Sequence, residues 1–159
     1  MSRVSIQTAD FDLSAEVAAL RADDHRVGAV ATFIGTVRDR NPGQPQVSAM
    51  ELEHYPGMTE AAIETMIETA RKRFTLRSVR VIHRVGKLSP RDQIVLVLTT
   101  SRHRQAAFEG AEFLMDYLKT QAPFWKKEVD AAGEGRWVDA RSEDDAALAR
   151  WGITLENAR

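Results

Sequence analysis

Lysine is scarce in this sequence, and its placement is uneven. Arginine outnumbers it 17 to 5, yet Lys119, Lys126 and Lys127 fall within nine consecutive positions. A lysine amine that is desolvated or crowded by other cations can lose its proton and act as an acid, a base or a nucleophile, which a guanidinium cannot do. The same residues also fit plainer roles. Lys119 would be a favourable cation in the last turn of a helix, worth about 0.3–1 kcal/mol, and Lys126-Lys127 a solvated surface pair.

A second cationic group precedes them. Arg102, His103 and Arg104 fall at the predicted start of the helix that ends near Lys119. Cations there oppose the positive end of the helix dipole, and a bound phosphate would relieve the conflict; side chains splayed into water would relieve it too. Arg38, at the end of a predicted strand and just before a loop, is a further candidate for an anion. His83 shares strand parity with Val79, Val81 and Val85 and reads as structural. His54 can equally be holding the Tyr55-Pro56-Gly57 turn together, and Trp125 and Trp137 read as core or partner-interface anchors.

What is missing narrows the chemistry further. The sequence has no cysteine, which removes disulfides, thiolate metal sites, iron–sulfur clusters and cysteine nucleophiles. Any sulfur chemistry would need sulfur carried by another molecule. There is no phosphate-binding glycine loop, dinucleotide fingerprint, paired-histidine metal motif or serine elbow, so neither a metal nor a cofactor is expected. With 22 basic and 23 acidic residues, non-specific nucleic-acid binding is disfavoured. The longest strictly apolar run, Ile94 to Leu98, is far short of the roughly 20 residues that span a bilayer. The N-terminus has no apolar leader segment. A soluble, cytoplasmic protein is expected.

The elements that must position these residues follow from periodicity. Residues 14–22 form a short predicted helix with Ser14 as N-cap. Predicted strands cover 27–38 and 47–55, separated by the loop DRNPGQPQ (39–46). An amphipathic helix over 59–74, capped by Thr59, carries Ile63, Met66, Ile67, Ala70 and Phe74 at helical spacing. Strands follow over 78–85 and 93–100, the second apolar on both parities, as a strand covered on both faces would be. Ser101 is placed to cap a long helix over 102–121, which Pro123 stops. An extended piece (124–129), a glycine-containing turn (133–135) and a last strand or turn (136–141) lead to a charged tail (142–159) with a weak helical pattern. The expectation is one domain over 1–159, of α+β class, with a mixed or antiparallel sheet packed by two main helices.

Several blocks, in order, resemble the catalytic subunit family of molybdopterin synthase: GAVATFIGTVRDRN (28–41), LEHYPGMTE (52–60), VIHRVGKLSPRD (81–92), HRQAAFEGAEFLMDYLKTQAPFWKKE (103–128) and GRWVDAR (135–141). The resemblance implies a hammerhead-like α/β fold and a sulfurtransferase of molybdenum-cofactor biosynthesis. Its substrate would be cyclic pyranopterin monophosphate, which gains a dithiolene. Its sulfur would come from the C-terminal Gly-Gly thiocarboxylate of a small ubiquitin-like subunit. The assembly implied is a homodimer within a heterotetramer. By the same resemblance Lys119 and Lys126 are the catalytic pair, and Thr36, Val37, Arg38, His103, Arg104, Lys127, Glu128 and Arg141 bind substrate. Two other classes use the same residues: a lysine Schiff-base enzyme acting on a phosphorylated carbonyl compound, and a non-enzymatic binder of an extended peptide tail or single-stranded RNA.

Overall fold

The strand predicted over 93–100 lies at the centre of the molecule. In the computed structural model, which describes residues 3–39, 47–130, 132–138, 146–147 and 149–152, this strand, β6, runs Gln93–Ser101, and every residue from Val95 onward is buried. An apolar run without alternation needs cover on both faces, and the fold supplies it. β1 (Val4–Gln7), β4 (Ser78–Arg84), β6 and β2 (Ala29–Thr36) form a mixed sheet in that order; β1 and β4 are parallel and the other pairs antiparallel. Val79, Val81, Val95 and Val97 face a layer made of α2 (Met58–Phe74) and α3 (Arg104–Thr120). Ile82, Leu96 and Leu98 face the other way, onto Phe11 and the apolar side of α1 (Leu13–Arg21).

A second, antiparallel sheet has the order β5-β3-β7-β8, from β5 (Gly86–Leu88), β3 (Val47–His54), β7 (Phe124–Asp130) and β8 (Gly135–Val138). Val37, Met50, Leu52 and Leu88 are buried, with the partly buried Val85 and Ile94 packed against them. This cluster joins the end of β2 to the second sheet. The α+β class holds, with the strands divided between two sheets. The division falls at Gly86, whose φ of 87° turns the chain out of β4 and into β5, a conformation that costs glycine little. β1 and β5 escaped sequence reading because four and three residues carry too little periodicity.

Three predicted helix caps are corrected. Asp12, not Ser14, caps α1, its carboxylate accepting the Ala15 N–H at 2.9 Å. Thr59 lies inside α2; the N-cap is Gly57, whose N–H donates to the Glu60 carboxylate at 2.9 Å. Ser101 still belongs to β6 and donates to the Thr75 carbonyl at 3.3 Å, while His103 is the N-cap of α3. In each case the observed start differs from the predicted one by a residue or two, a shift that propensity alone does not register. The last predicted strand is observed as far as Val138; 139–141 and most of the tail lie outside the described residues. Trp151 from that tail packs edge-on against Phe74 and Phe113, with ring centroids 5.5 and 5.7 Å away. Among the described residues no helix is long and apolar enough to cross a membrane.

Gly28 tests how tightly β2 and the start of α3 are bound together. Its N–H donates to the Ser101 carbonyl at 2.9 Å, and a Cβ at this position would be driven into the Arg102 carbonyl oxygen. Backbone cannot rotate aside as a side-chain tip can, so Gly28→Ala should cost about 1–3 kcal/mol. The loss would be read as a lowered urea midpoint with an unchanged m-value.

Candidate active site

The site is built where α3 stops. Its last turn carries Lys119, the chain leaves the helix through Gln121, and Pro123 bars continuation. One residue later β7 begins, so the second lysine pair enters on a strand, not on a surface loop. Strand alternation then separates that pair. Phe124, Lys126 and Glu128 share one face of β7, opposite His54, Leu52 and Met50 of β3. Trp125 and Lys127 take the other face, where Lys127 pairs in register with Glu51 and its Nζ lies 5.9 Å from the Trp137 ring centroid.

Lys119 and Lys126 line one cavity of about 190 Å³. Its apolar wall includes Met50, Leu52, Ile94 and Leu118, and its ionisable lining is the two lysines and His83. The Lys126 Nζ stands 3.7 Å from Oε1 of Glu128, a carboxylate buried to 4% exposure. A buried carboxylate is costly unless a cation compensates it, and Lys126 supplies that charge at the cavity edge. Thr36 ends β2 and Val37 and Arg38 follow it, and none of the three lines the cavity itself. Val37 is buried in the cluster that includes the cavity residues Met50, Leu52 and Ile94, while Thr36 and Arg38 on either side of it are exposed.

His83, expected to be structural, is both buried and a wall of this cavity. Its ring stacks on Phe124 with centroids 3.9 Å apart and planes at 18°, and its Nδ1 lies 2.8 Å from the Arg84 carbonyl. A carbonyl only accepts, so Nδ1 carries the proton. Burial lowers its pKa to about 4; the Arg84 carbonyl works against that shift, and the nearby Lys119 and His54 charges reinforce it. The imidazole is neutral throughout the physiological range. Parity alone put His83 on the helix-covered face. That it stands level with the last turn of α3 depends on the β4–β6 register, in which it pairs with Val95.

The remaining predicted residues lie elsewhere. His103 and Arg104 are exposed at the opposite end of α3. Fifteen residues separate Arg104 from Lys119, or about 22 Å at 1.5 Å per residue. His103 borders a separate cavity of about 500 Å³, with Arg73, Arg77 and Arg102. Two of those arginines are engaged: Arg77 pairs with Asp24 at 2.5 Å, and Arg73 donates to the Trp151 carbonyl at 2.8 Å. Arg141 lies outside the described residues. Trp125 and Trp137 are 37% and 59% exposed, so neither is a core residue. Among the described residues no three histidine or acidic side chains are grouped to hold a metal.

This combination defines an α+β protein with a small, cation-bearing cavity at the seam between a helix end and a second sheet. The MoaE protein family model matches residues 6–121. The molybdopterin synthase catalytic subunit of Ralstonia nicotianae is 61% identical over 158 residues, covering 99% of this chain and 89% of the relative. Among solved structures, the molybdopterin biosynthesis MoaE protein from Burkholderia ambifaria superposes with a TM-score of 0.81 at 59% identity, over 96% of this chain and 99% of that one. A chain from the complex of subunits 1 and 2 of molybdopterin-converting factor from Helicobacter pylori has a TM-score of 0.69 at 18% identity, over 89% and 92%, a likeness of fold alone. The chain belongs to the MoaE family.

The neutral, buried His83 gives stability a definite pH dependence. Its pKa in the folded protein, about 4, lies below the ordinary 6.5. Between those values the unfolded chain therefore binds one proton more than the native state, and stability falls as pH is lowered through this window. The slope from this group approaches 1.4 kcal/mol per pH unit at most, roughly the value of one proton. Urea unfolding of wild type and His83→Phe between pH 4.5 and 7 should show the dependence reduced by about that amount in the variant.

Proposed function

We infer that this chain is the catalytic subunit of a molybdopterin synthase, a sulfurtransferase of molybdenum-cofactor biosynthesis. The relative from Ralstonia carries that function at 61% identity. The observation that carries the reading at the site is the convergence of Lys119 and Lys126, from two different elements, on one small cavity with an apolar wall. The substrate class this suits is an anion with an uncharged body: a cyclic pyranopterin monophosphate. The absence of cysteine agrees with sulfur arriving on another protein, as the C-terminal thiocarboxylate of a small ubiquitin-like subunit. The Helicobacter protein of the same fold belongs to a two-subunit complex.

The reaction can be written with these residues. The thiocarboxylate sulfur attacks a side-chain carbon of the pterin, forming a carbon–sulfur bond and a thioester to the small subunit. Lys119 protonates the departing oxygen, while Lys126, fixed beside the buried Glu128, stabilises the negative charge that develops. Water then cleaves the thioester, leaving the thiol on the pterin and a carboxylate on the carrier. A second thiocarboxylate repeats the transfer. Thr36, Val37 and Arg38 border the substrate from the end of β2.

His103 and Arg104 enter this scheme only through a second copy of the chain. About 22 Å of rigid helix separates them from Lys119, beyond the reach of any side chain. In a two-fold dimer the start of one α3 can approach the cavity at the end of the other. Lys127 faces away from this cavity, beside Glu51 and Trp137, and so is not one of the groups that contact substrate in this scheme. Arg141 would bind substrate in the same assembly, which pairs the homodimer with two small subunits.

Two experiments test this. Lys119→Ala should lose nearly all dithiolene formation, on the order of 100-fold or more, while binding the thiocarboxylated carrier within a few-fold of wild type. Retention of near wild-type turnover would remove Lys119 from the chemistry. Separately, subunit exchange between Lys119→Ala and the double variant His103→Ala/Arg104→Ala should restore activity, to about a quarter of wild-type sites for random pairing. No restoration, with exchange verified by mass spectrometry, would remove His103 and Arg104 from the partner's site.

A further inference from the structure

We propose that His83 is a positioning residue for sulfur transfer: held on Phe124 and by its Nδ1–H on the Arg84 carbonyl, the ring offers its Nε2 lone pair as the fixed acceptor that sets where the Lys119 ammonium stands. The proposal rests on the reading of Lys119 as the proton donor.

Three observations support it. First, the ring has little freedom. One face lies on Phe124 at 3.9 Å, and the bond to the Arg84 carbonyl, at 2.8 Å, fixes both the tautomer and the flip state. Second, the tautomer leaves Nε2 as an acceptor on a side chain that lines the cavity together with Lys119 and Lys126. Third, Phe124 lies two residues before Lys126 on the same face of β7. The stacked pair therefore sets both the strand that carries the second lysine and a ring that lines the same cavity as the first.

The charges around the ring explain why a histidine serves here. Lys119 from α3 and Lys126 from β7 are cations in the cavity, Glu128 is buried behind Lys126, and His54 approaches from β3 with Glu60 3.7 Å beyond it. A third cation would repel both lysines and occupy part of the charge meant for the anionic substrate. A neutral acceptor avoids this, and burial together with the Lys119 and His54 charges keeps His83 neutral. A carboxylate in its place would pair with Lys119 and hold its proton too tightly for transfer. An imidazole orients the ammonium without that cost.

The test uses the complete dimer with thiocarboxylated carrier and cyclic pyranopterin monophosphate, comparing wild type, His83→Phe, His83→Gln and Lys119→Ala. His83→Phe keeps the aromatic stack and removes the acceptor. Its single-turnover rate should fall on the order of 100-fold, the usual scale for a misplaced reacting group, with carrier affinity within about 3-fold. His83→Gln, which restores an acceptor near Nε2, should regain about 10-fold of that loss.

A second readout does not depend on activity. The Lys119 ammonium should give a solvent-protected nitrogen-15 resonance, identified by its absence in Lys119→Ala, that is lost in His83→Phe. In wild type, His83 itself should show a protonated Nδ1 and an unprotonated Nε2 from pH 6 to 8. A folded His83→Phe protein with a wild-type rate, while Lys119→Ala is inactive, overturns the positioning role and leaves Lys119 in place. An Nε2–H tautomer in wild type, or a Lys119 resonance unchanged in His83→Phe, overturns it as well. Full activity of Lys119→Ala would instead defeat the earlier reading, and the resonances would still report whether His83 holds the ammonium.

Discussion

Burial of β6 on both faces is the constraint from which the rest of the structure follows. A strand that is apolar at every position from Val95 to Leu98 cannot stand at the surface of a sheet. It demands one layer over Val95 and Val97 and another over Leu96 and Leu98. The chain meets the first demand with α2 and α3, and the second with the short α1. Because α3 begins only three residues after β6 ends, it must run back antiparallel across the sheet. That return path brings its last turn, and with it Lys119, level with the opposite end of β6 and with His83 on β4. The position of the candidate proton donor is thus a consequence of core packing.

The second sheet is arranged around the first by a small apolar cluster and two chain reversals. Val37, Met50, Leu52 and Leu88 bury the junction, and the inner face of β3 and β7 becomes the far wall of the lysine cavity. Sheet alternation then does chemical sorting: of two adjacent lysines, one faces the cavity and the other faces Trp137 and Glu51. A helix over the same residues would have set Lys126 and Lys127 only about 100° apart. A strand places them on opposite faces.

Much of this was legible in the sequence, for physical reasons that differ by element. The long helices α2 and α3 and the central strand were readable because their apolar periodicity extends over many residues. The short strands β1 and β5 were not, since their pairing depends on distant partners. The lysine pair was visible as a compositional oddity, and its resemblance to a known family made it a site. What the residues alone could not show was which side of β7 each lysine takes, or that His83 belongs to the site wall. Both depend on register, in the one case Leu52 against Lys126, in the other His83 against Val95. The distance between His103 and Lys119, by contrast, was legible, because the apolar stripe predicted one unbroken helix over 102–121 with those residues near its two ends.

The side chain of Thr59, fully buried inside α2, links two parts of the cavity's surroundings that are far apart in sequence. Its hydroxyl accepts the Tyr55 N–H at 3.0 Å and donates to the Pro123 carbonyl at 3.1 Å. One oxygen therefore latches the turn that closes β3 to the turn that opens β7. Neither turn can swing outward without stranding a buried hydroxyl that belongs to the other. The two reversals should accordingly breathe as a single mechanical unit, exchanging amide hydrogens together and not as independent loops. Amide exchange at either reversal would then report one shared opening event, set by the freedom of a single hydroxyl.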